Sequence, residues 1–193
     1  MRKSNTVAAI VLVASITLSF AIGSCDTSSN RPGKENQGRE DNPGLTEDRG
    51  DNMAALDFNL NDIDGNNVNF MSEVSKNKLT ILDFWASWCR PCMDEMPNMI
   101  NIYNKYSDKG LGIVGVSLDE REQDWKGTIK SKGLKWLQLS DLRGWDSPVA
   151  KKYGVQSIPH IIVIDQKGNI IADNLRGASL EEFISRKIES ILC

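Results

Sequence analysis

Three stretches of the chain differ in how apolar side chains are spaced. Val7 to Ile22 is apolar or small and uncharged, and Asp26 to about Asn52 holds Leu45 as its only large aliphatic residue. From Met53 onward apolar and polar positions recur with clear periods. Leu56-Asp57-Phe58-Asn59-Leu60 has the period of a half-buried strand, and Asp64-Gly65 is a turn signal ahead of Val68 and Phe70. The folded part therefore opens with a predicted hairpin. Leu79 to Ala86 is almost unbroken apolar sequence, the mark of a strand buried on both faces of a parallel sheet. Cys92, Met96, Met99, Ile100 and Tyr103 fall on one face of a predicted helix that Lys109-Gly110 closes. Leu111 to Leu118 reads as a second buried strand and Glu122 to Lys132 as a helix stopped by Gly133. A short strand near Trp136–Leu139 and a helix near Ser147–Tyr153 follow. Ile161–Asp165 and Asn169–Ala172 read as strands joined at Lys167-Gly168, and Ser179–Leu192 as a final helix with a near capping box. This order predicts an α+β or α/β sandwich: a central mixed β-sheet flanked by helices, with an N-terminal β-hairpin extension.

Arg2 and Lys3 precede the first apolar run, which gives the charged start and apolar centre of a secretory leader. The run is shorter than the roughly 20 residues that span a bilayer. Its end, Ile22-Gly23-Ser24-Cys25, resembles a bacterial lipobox. That resemblance implies cleavage before Cys25 and a lipid on its thiol, each buried CH₂ adding about 0.8 kcal/mol of membrane affinity. An uncleaved anchor with an incidental cysteine is the alternative. Both readings put the rest of the chain across the membrane, in an oxidising compartment. The polar stretch after Cys25 has too little apolar surface to offset its ordering entropy. The expected organisation is a signal peptide over 1–24, a disordered tether over 25–52 and one folded domain over 53–193.

At 193 residues the chain has room for one ordinary domain with attachments. A net charge of −3 gives no electrostatic reason to expect nucleic acid as a partner. Of the four cysteines, Cys25 ends the leader, Cys89 and Cys92 form a tight pair, and Cys193 is terminal. The Cys-x-x-Cys spacing alone suits zinc as well as redox chemistry. A structural zinc site needs about four ligands, however, and the sequence has no second cysteine or histidine pair. Position favours redox. Cys89 falls between a buried strand and a helix, where unpaired N–H groups and the helix dipole stabilise a thiolate. Arg90 adds positive charge, Pro91 suits a first helical turn, and Cys92 is placed deeper, ready to attack a mixed disulfide. Asp83 lies within the apolar strand, where burial raises a carboxyl pKa and makes it a proton acceptor for Cys92. A structural aspartate capping a neighbouring backbone group is the plainer reading of the same residue.

The run Phe84-Trp85-Ala86-Ser87-Trp88-Cys89-Arg90-Pro91-Cys92 resembles the active site of the thioredoxin superfamily. Glu95-Met96-Pro97, Val155-Gln156-Ser157-Ile158-Pro159, Ile164-Asp165 and Gly168 resemble its TlpA/ResA branch of exported oxidoreductases. The similarity covers roughly residues 53–193. It implies a thioredoxin-like fold, with Cys89 as the attacking thiolate and Cys92 as the resolving thiol. It makes Pro159 the cis-proline opposite the dithiol, leaving Ile158 backbone groups to pair with a client peptide. Asp83 matches the family's buried acid, and Glu95 a glutamate that tunes the thiols or is simply solvated. Trp88, Arg90, Pro91 and Ile158 form the expected client-binding surface. Of Trp85 and Trp88, one is expected in the core and the other facing clients. Pro97 implies a kink, while His160 and Cys193 carry no expected chemistry.

The reading is an extracytoplasmic thiol-disulfide oxidoreductase that reduces disulfides in exported proteins, apocytochrome c among the examples the family offers. Its partners are those clients, a membrane electron donor of the DsbD/CcdA type and the membrane itself. No cofactor or metal is expected beyond the redox-active Cys89–Cys92 disulfide. A disulfide-forming oxidase is the first alternative, since known dithiols span about 150 mV between thioredoxin and DsbA. A copper metallochaperone using His160 is the second, disfavoured because such proteins space their cysteines by three residues rather than two. A peroxidase is disfavoured because Trp85-Ala86-Ser87-Trp88 replaces the expected peroxidatic setting.

Overall fold

The computed structural model describes residues 53–192; the predicted leader, Cys25, the tether and Cys193 lie outside them. A seven-stranded mixed sheet runs in the order β2-β1-β5-β4-β3-β6-β7. Its centre is β3 (Leu79–Trp85), which has every residue buried. β3 pairs in parallel with β4 (Leu111–Ser117) and antiparallel with β6 (His160–Asp165). β5 (Leu137–Ser140) extends the sheet in parallel beyond β4, and β7 (Ile170–Asp173) forms a hairpin with β6. Burial on both faces explains why β3 and β4 lack the alternation of a surface strand.

The opening hairpin forms between β1 (Asn59–Asp62) and β2 (Asn67–Asn69), and β1 pairs antiparallel with β5. Gly65 turns it at φ +83°, where a side chain would be strained. Two details differ from the sequence expectation. Leu56 is not laddered; its N–H and C=O both bond the Tyr153 hydroxyl, at 3.0 and 2.7 Å. Phe70 is not a strand residue but the first of α1 (Phe70–Lys76), whose N-cap Asn69 accepts from the Ser72 N–H at 2.9 Å. A seven-residue helix with only Phe70 and Val74 buried leaves too short a periodic trace to read in advance.

α2 (Arg90–Tyr106) follows β3 and carries Pro97 within it. Its most deeply buried stripe is Cys92, Met96, Met99, Ile102 and Tyr106; Ile100 and Tyr103 sit only partly covered beside it. α3 (Glu122–Lys132) ends at Gly133 in the left-handed region, and α4 (Pro148–Lys152) leads to the β6 strand. α5 (Gly177–Leu192) begins two residues before the expected Ser179, because the Glu95 carboxylate of α2 accepts the Gly177 N–H at 2.9 Å. Strand alternation sorts the two faces of β3. Asp83 and Trp85 share one face; Phe84 lies on the other, against Tyr153, which in turn meets the Phe58–Phe70 stack edge-on.

Candidate active site

The chain leaves β3 through Ala86-Ser87-Trp88 and enters α2 at Cys89, the N-cap residue. The Cys89 N–H bonds the Ala86 carbonyl at 3.1 Å, and Cys89 Sγ accepts from the Cys92 N–H at 3.1 Å. Cys89 and Cys92 are joined by a disulfide with Cα atoms 5.2 Å apart. The first sulfur thus sits where orphan helix N–H groups offer the most stabilisation to a thiolate. Pro91 occupies the first turn, where its missing N–H costs no hydrogen bond. Arg90 and Pro91 are exposed, while both cysteines are buried.

Across from the disulfide the Ile158–Pro159 peptide bond is cis, and the Ile158 carbonyl oxygen lies 3.6 Å from Cys89 Sγ. Pro159 is buried and Ile158 partly so. Among the described residues the Ile158 N–H has no hydrogen-bond partner. Trp85 is fully buried, whereas Trp88 is 56% exposed and tilts against Trp145, itself 44% exposed, with ring centroids 6.3 Å apart. One tryptophan is core and the other surface, and a second surface indole joins it from a 3-10 turn over Gly144–Asp146.

Asp83 stands on the central strand β3, 2% exposed, with Oδ1 unpartnered among the described residues. Burial pushes its carboxyl up to about 7; the Glu95 charge adds to the rise and Arg176 opposes it. Glu95 itself ties α2 to the start of α5, accepting from Gly177 N–H and, at 2.6 Å, from Asn98 Nδ2. Arg176 donates to the Pro159 carbonyl and, at 3.0 Å, to Asn174 Oδ1. Residues 176 and 177 therefore bridge the helix that carries the cysteines and the loop that faces them. His160 pairs with Asp173 at 2.9 Å and lies edge-on to Phe84, on the face of the sheet away from Asp83.

Sequence reasoning missed several residues of the site. Asp119, 1% exposed, accepts from the Ser87 N–H at 3.1 Å, the Ser87 hydroxyl at 2.6 Å and the Ser117 hydroxyl at 2.7 Å. It anchors the loop that presents Cys89. Its position at the end of a buried strand was a usable signal. Trp145, Arg176 and Gln138 reach the site from distant loops and strands, and no local pattern marks them.

A dithiol at the head of a helix, a facing cis-proline and a buried acid on the central strand, in a mixed sheet flanked by helices, define a thioredoxin-fold redox protein. The thioredoxin-like family model matches residues 77–170. A thiol-disulfide oxidoreductase ResA of Bacillus thuringiensis subsp. konkukian is 31% identical over 137 residues, 71% of this chain and 76% of that one. The thioredoxin domain of a thiol-disulfide oxidoreductase from Bacteroides vulgatus superposes with a TM-score of 0.65 at 34% identity, covering 71% of this chain and 96% of that one. A thiol-disulfide oxidoreductase from Bacteroides fragilis also gives a TM-score of 0.65, at 29% identity, over 69% and 98% of the two chains. The chain belongs to the ResA-type thiol-disulfide oxidoreductases of the thioredoxin-like family. It is an enzyme that exchanges a Cys89–Cys92 pair with disulfide-containing substrates.

Proposed function

We propose that this oxidoreductase works outside the cytoplasm, anchored through a lipid on Cys25, and runs in the reducing direction. Electrons would pass from a membrane donor of the DsbD/CcdA type to Cys89–Cys92, and from there to disulfides in exported proteins such as apocytochrome c. The leader and the Ile22-Gly23-Ser24-Cys25 junction support the location. No helix among the described residues is long and apolar enough to cross a membrane, so attachment rests on the leader and its lipid.

One observation carries the direction: the buried acid Asp83 feels the charge of Glu95, which stands on α2 one helical turn beyond Cys92. A strongly oxidising dithiol owes its potential to a stabilised reduced form, in practice a stabilised thiolate. Acidic groups near the helix that carries the cysteines oppose that stabilisation and favour a low potential. The exchange begins as the Cys89 thiolate attacks a client disulfide, forms a Cys89–client disulfide and expels the other client sulfur as a thiolate, which solvent protonates. Asp83 then takes the proton of the Cys92 thiol. The Cys92 thiolate attacks Cys89 Sγ, the Cys89–client bond breaks, and the second client sulfur leaves as a thiolate that solvent protonates. Client disulfide is reduced, dithiol is oxidised, and no cofactor enters. Trp88, Trp145 and the free Ile158 N–H form the surface that receives the client chain.

The test is a redox titration of Cys89–Cys92 in thiol buffers, followed by tryptophan fluorescence. A value near −270 mV or below supports the reductase. A value near −120 mV makes the protein an oxidase of newly exported chains instead.

A further inference from the structure

Asp83, Gly115 and Gln138 form one rung across β3, β4 and β5: Asp83 pairs with Gly115, and Gly115 with Gln138. Parallel register puts their Cβ positions on the same face of the sheet. Gly115 leaves the middle of that rung without a side chain, and the Gln138 side chain occupies the space. A Cβ at 115 would stand 2.4 Å from Gln138 Oε1 and 3.0 Å from Nε2, so any other residue there displaces the amide.

Which end of the amide faces which way follows from chemistry. The Trp85 indole nitrogen lies 3.0 Å from Gln138 and is a donor only, so the atom it meets must be the carbonyl oxygen. The Gln138 Nε2 group is then left as a donor. It is buried, and it has no partner among the described residues. The Asp83 Oδ1 acceptor on the same rung is likewise buried and unpartnered. Thr80 Oγ1, another unpartnered atom of β3, belongs to the opposite face. A buried donor and a buried acceptor each carry a free-energy cost when unmet, and one water with two or three polar neighbours relieves both.

We propose that Gln138 is a positioning residue for thiol–disulfide exchange: its Nε2 donates, through one bridging water, to the Asp83 carboxyl that serves Cys92. Trp85 fixes the amide, Gly115 makes the room, and Gln138 favours the ionised, proton-accepting form of Asp83. The inference rests on the exchange role given above to Asp83. The charged groups acting on Asp83 are Glu95 of α2 and Arg176 from the segment before α5. β4 contributes only Gly115 and β6 only Ile161 at this rung, and His160 lies on the other face.

The test uses the full chain, purified in detergent, with Gln138→Leu and Gly115→Ala as independent ways of removing the donor. A donor to a carboxylate lowers its pKa, so its loss raises it. Client reduction should therefore reach its half-maximal rate about half a pH unit or more higher in both variants. The displacement should vanish when Asp83→Asn is added. Unchanged profiles in correctly folded variants would overturn the proposal. A readout without any client uses the wild-type chain: the Gln138 side-chain N–H resonances should move with the titration of Asp83 and stay still in Asp83→Asn. Resonances that ignore that titration defeat the assignment of Gln138, whereas failure to reduce any client while they do move defeats the reductase reading alone.

Discussion

Replacing Asp83 by asparagine removes a carboxyl that is fully enclosed and held near neutrality, and its effect on stability should depend steeply on pH. In the unfolded chain the group titrates near 3.8, and in the fold burial and Glu95 move it to about 7. Below pH 3.8 both states hold the proton and the carboxyl contributes nothing pH-dependent. As pH rises from there, the unfolded chain releases the proton while the folded chain retains it, so stability falls. The loss is complete once pH passes about 7 and amounts to about 4 kcal/mol, from 1.36 kcal/mol per pH unit of separation. Asparagine escapes this loss, although its own buried amide carries a cost that is constant with pH. The informative quantity is therefore the change in the stability difference between the two proteins. Urea unfolding of the disulfide form, in which Cys92 does not titrate, should show Asp83→Asn gaining about 3–4 kcal/mol on the wild type between pH 4 and 8. Other carboxylates cancel in the comparison. A difference that stays flat across this range would mean that Asp83 is ionised at its ordinary pKa, and its assignment as proton acceptor would fall with it.

Asp119→Ala should cost about 3 kcal/mol in chemical unfolding, because the Ser87 and Ser117 hydroxyls and the Ser87 N–H lose a shared charged acceptor. A loss below about 1 kcal/mol would show that the loop holds its shape unaided. Trp145→Ala should lower kcat/KM for protein clients by about 3–10-fold, the worth of one aromatic contact, yet leave reduction by dithiothreitol unchanged. Equal effects on both reactions would place Trp145 outside client recognition. Cys92→Ser should accumulate Cys89–client mixed disulfides on non-reducing gels, and Cys89→Ser should accumulate none; adducts on Cys92 would reverse the two roles. Cys25→Ser should release the protein from washed membranes, and persistence there would point to an uncleaved anchor.

How much of this was legible depended on whether the determining contacts are local. Cys89, Arg90, Pro91 and Cys92 announce themselves because a strand end, a helix start and a reactive pair occupy a few consecutive residues, and one turn of helix fixes their relation. Asp83 was readable for a different local reason: a charge inside an unbroken apolar strand contradicts its surroundings, and such contradictions gather at functional sites. The start of α5 is not legible locally because its first N–H is satisfied by Glu95, 82 residues away, and not by a capping side chain of its own. α1 was missed because Asn69 both ends β2 and caps the helix, so the alternating pattern runs through the boundary. The partners of Asp83 belong to the same class of information. Gly115 looks like a weak point in a strand, and Gln138 like one polar residue among many, until register places them on one rung with Asp83. A glycine inside a buried central strand is itself a sequence-visible anomaly, since it forgoes packing without a turn to justify it. Here the space it leaves holds the amide of Gln138, fixed by Trp85 two residues beyond Asp83 on the same face. The reactive sulfurs are thus specified by a motif, while the polar environment that sets their proton traffic is specified by sheet register.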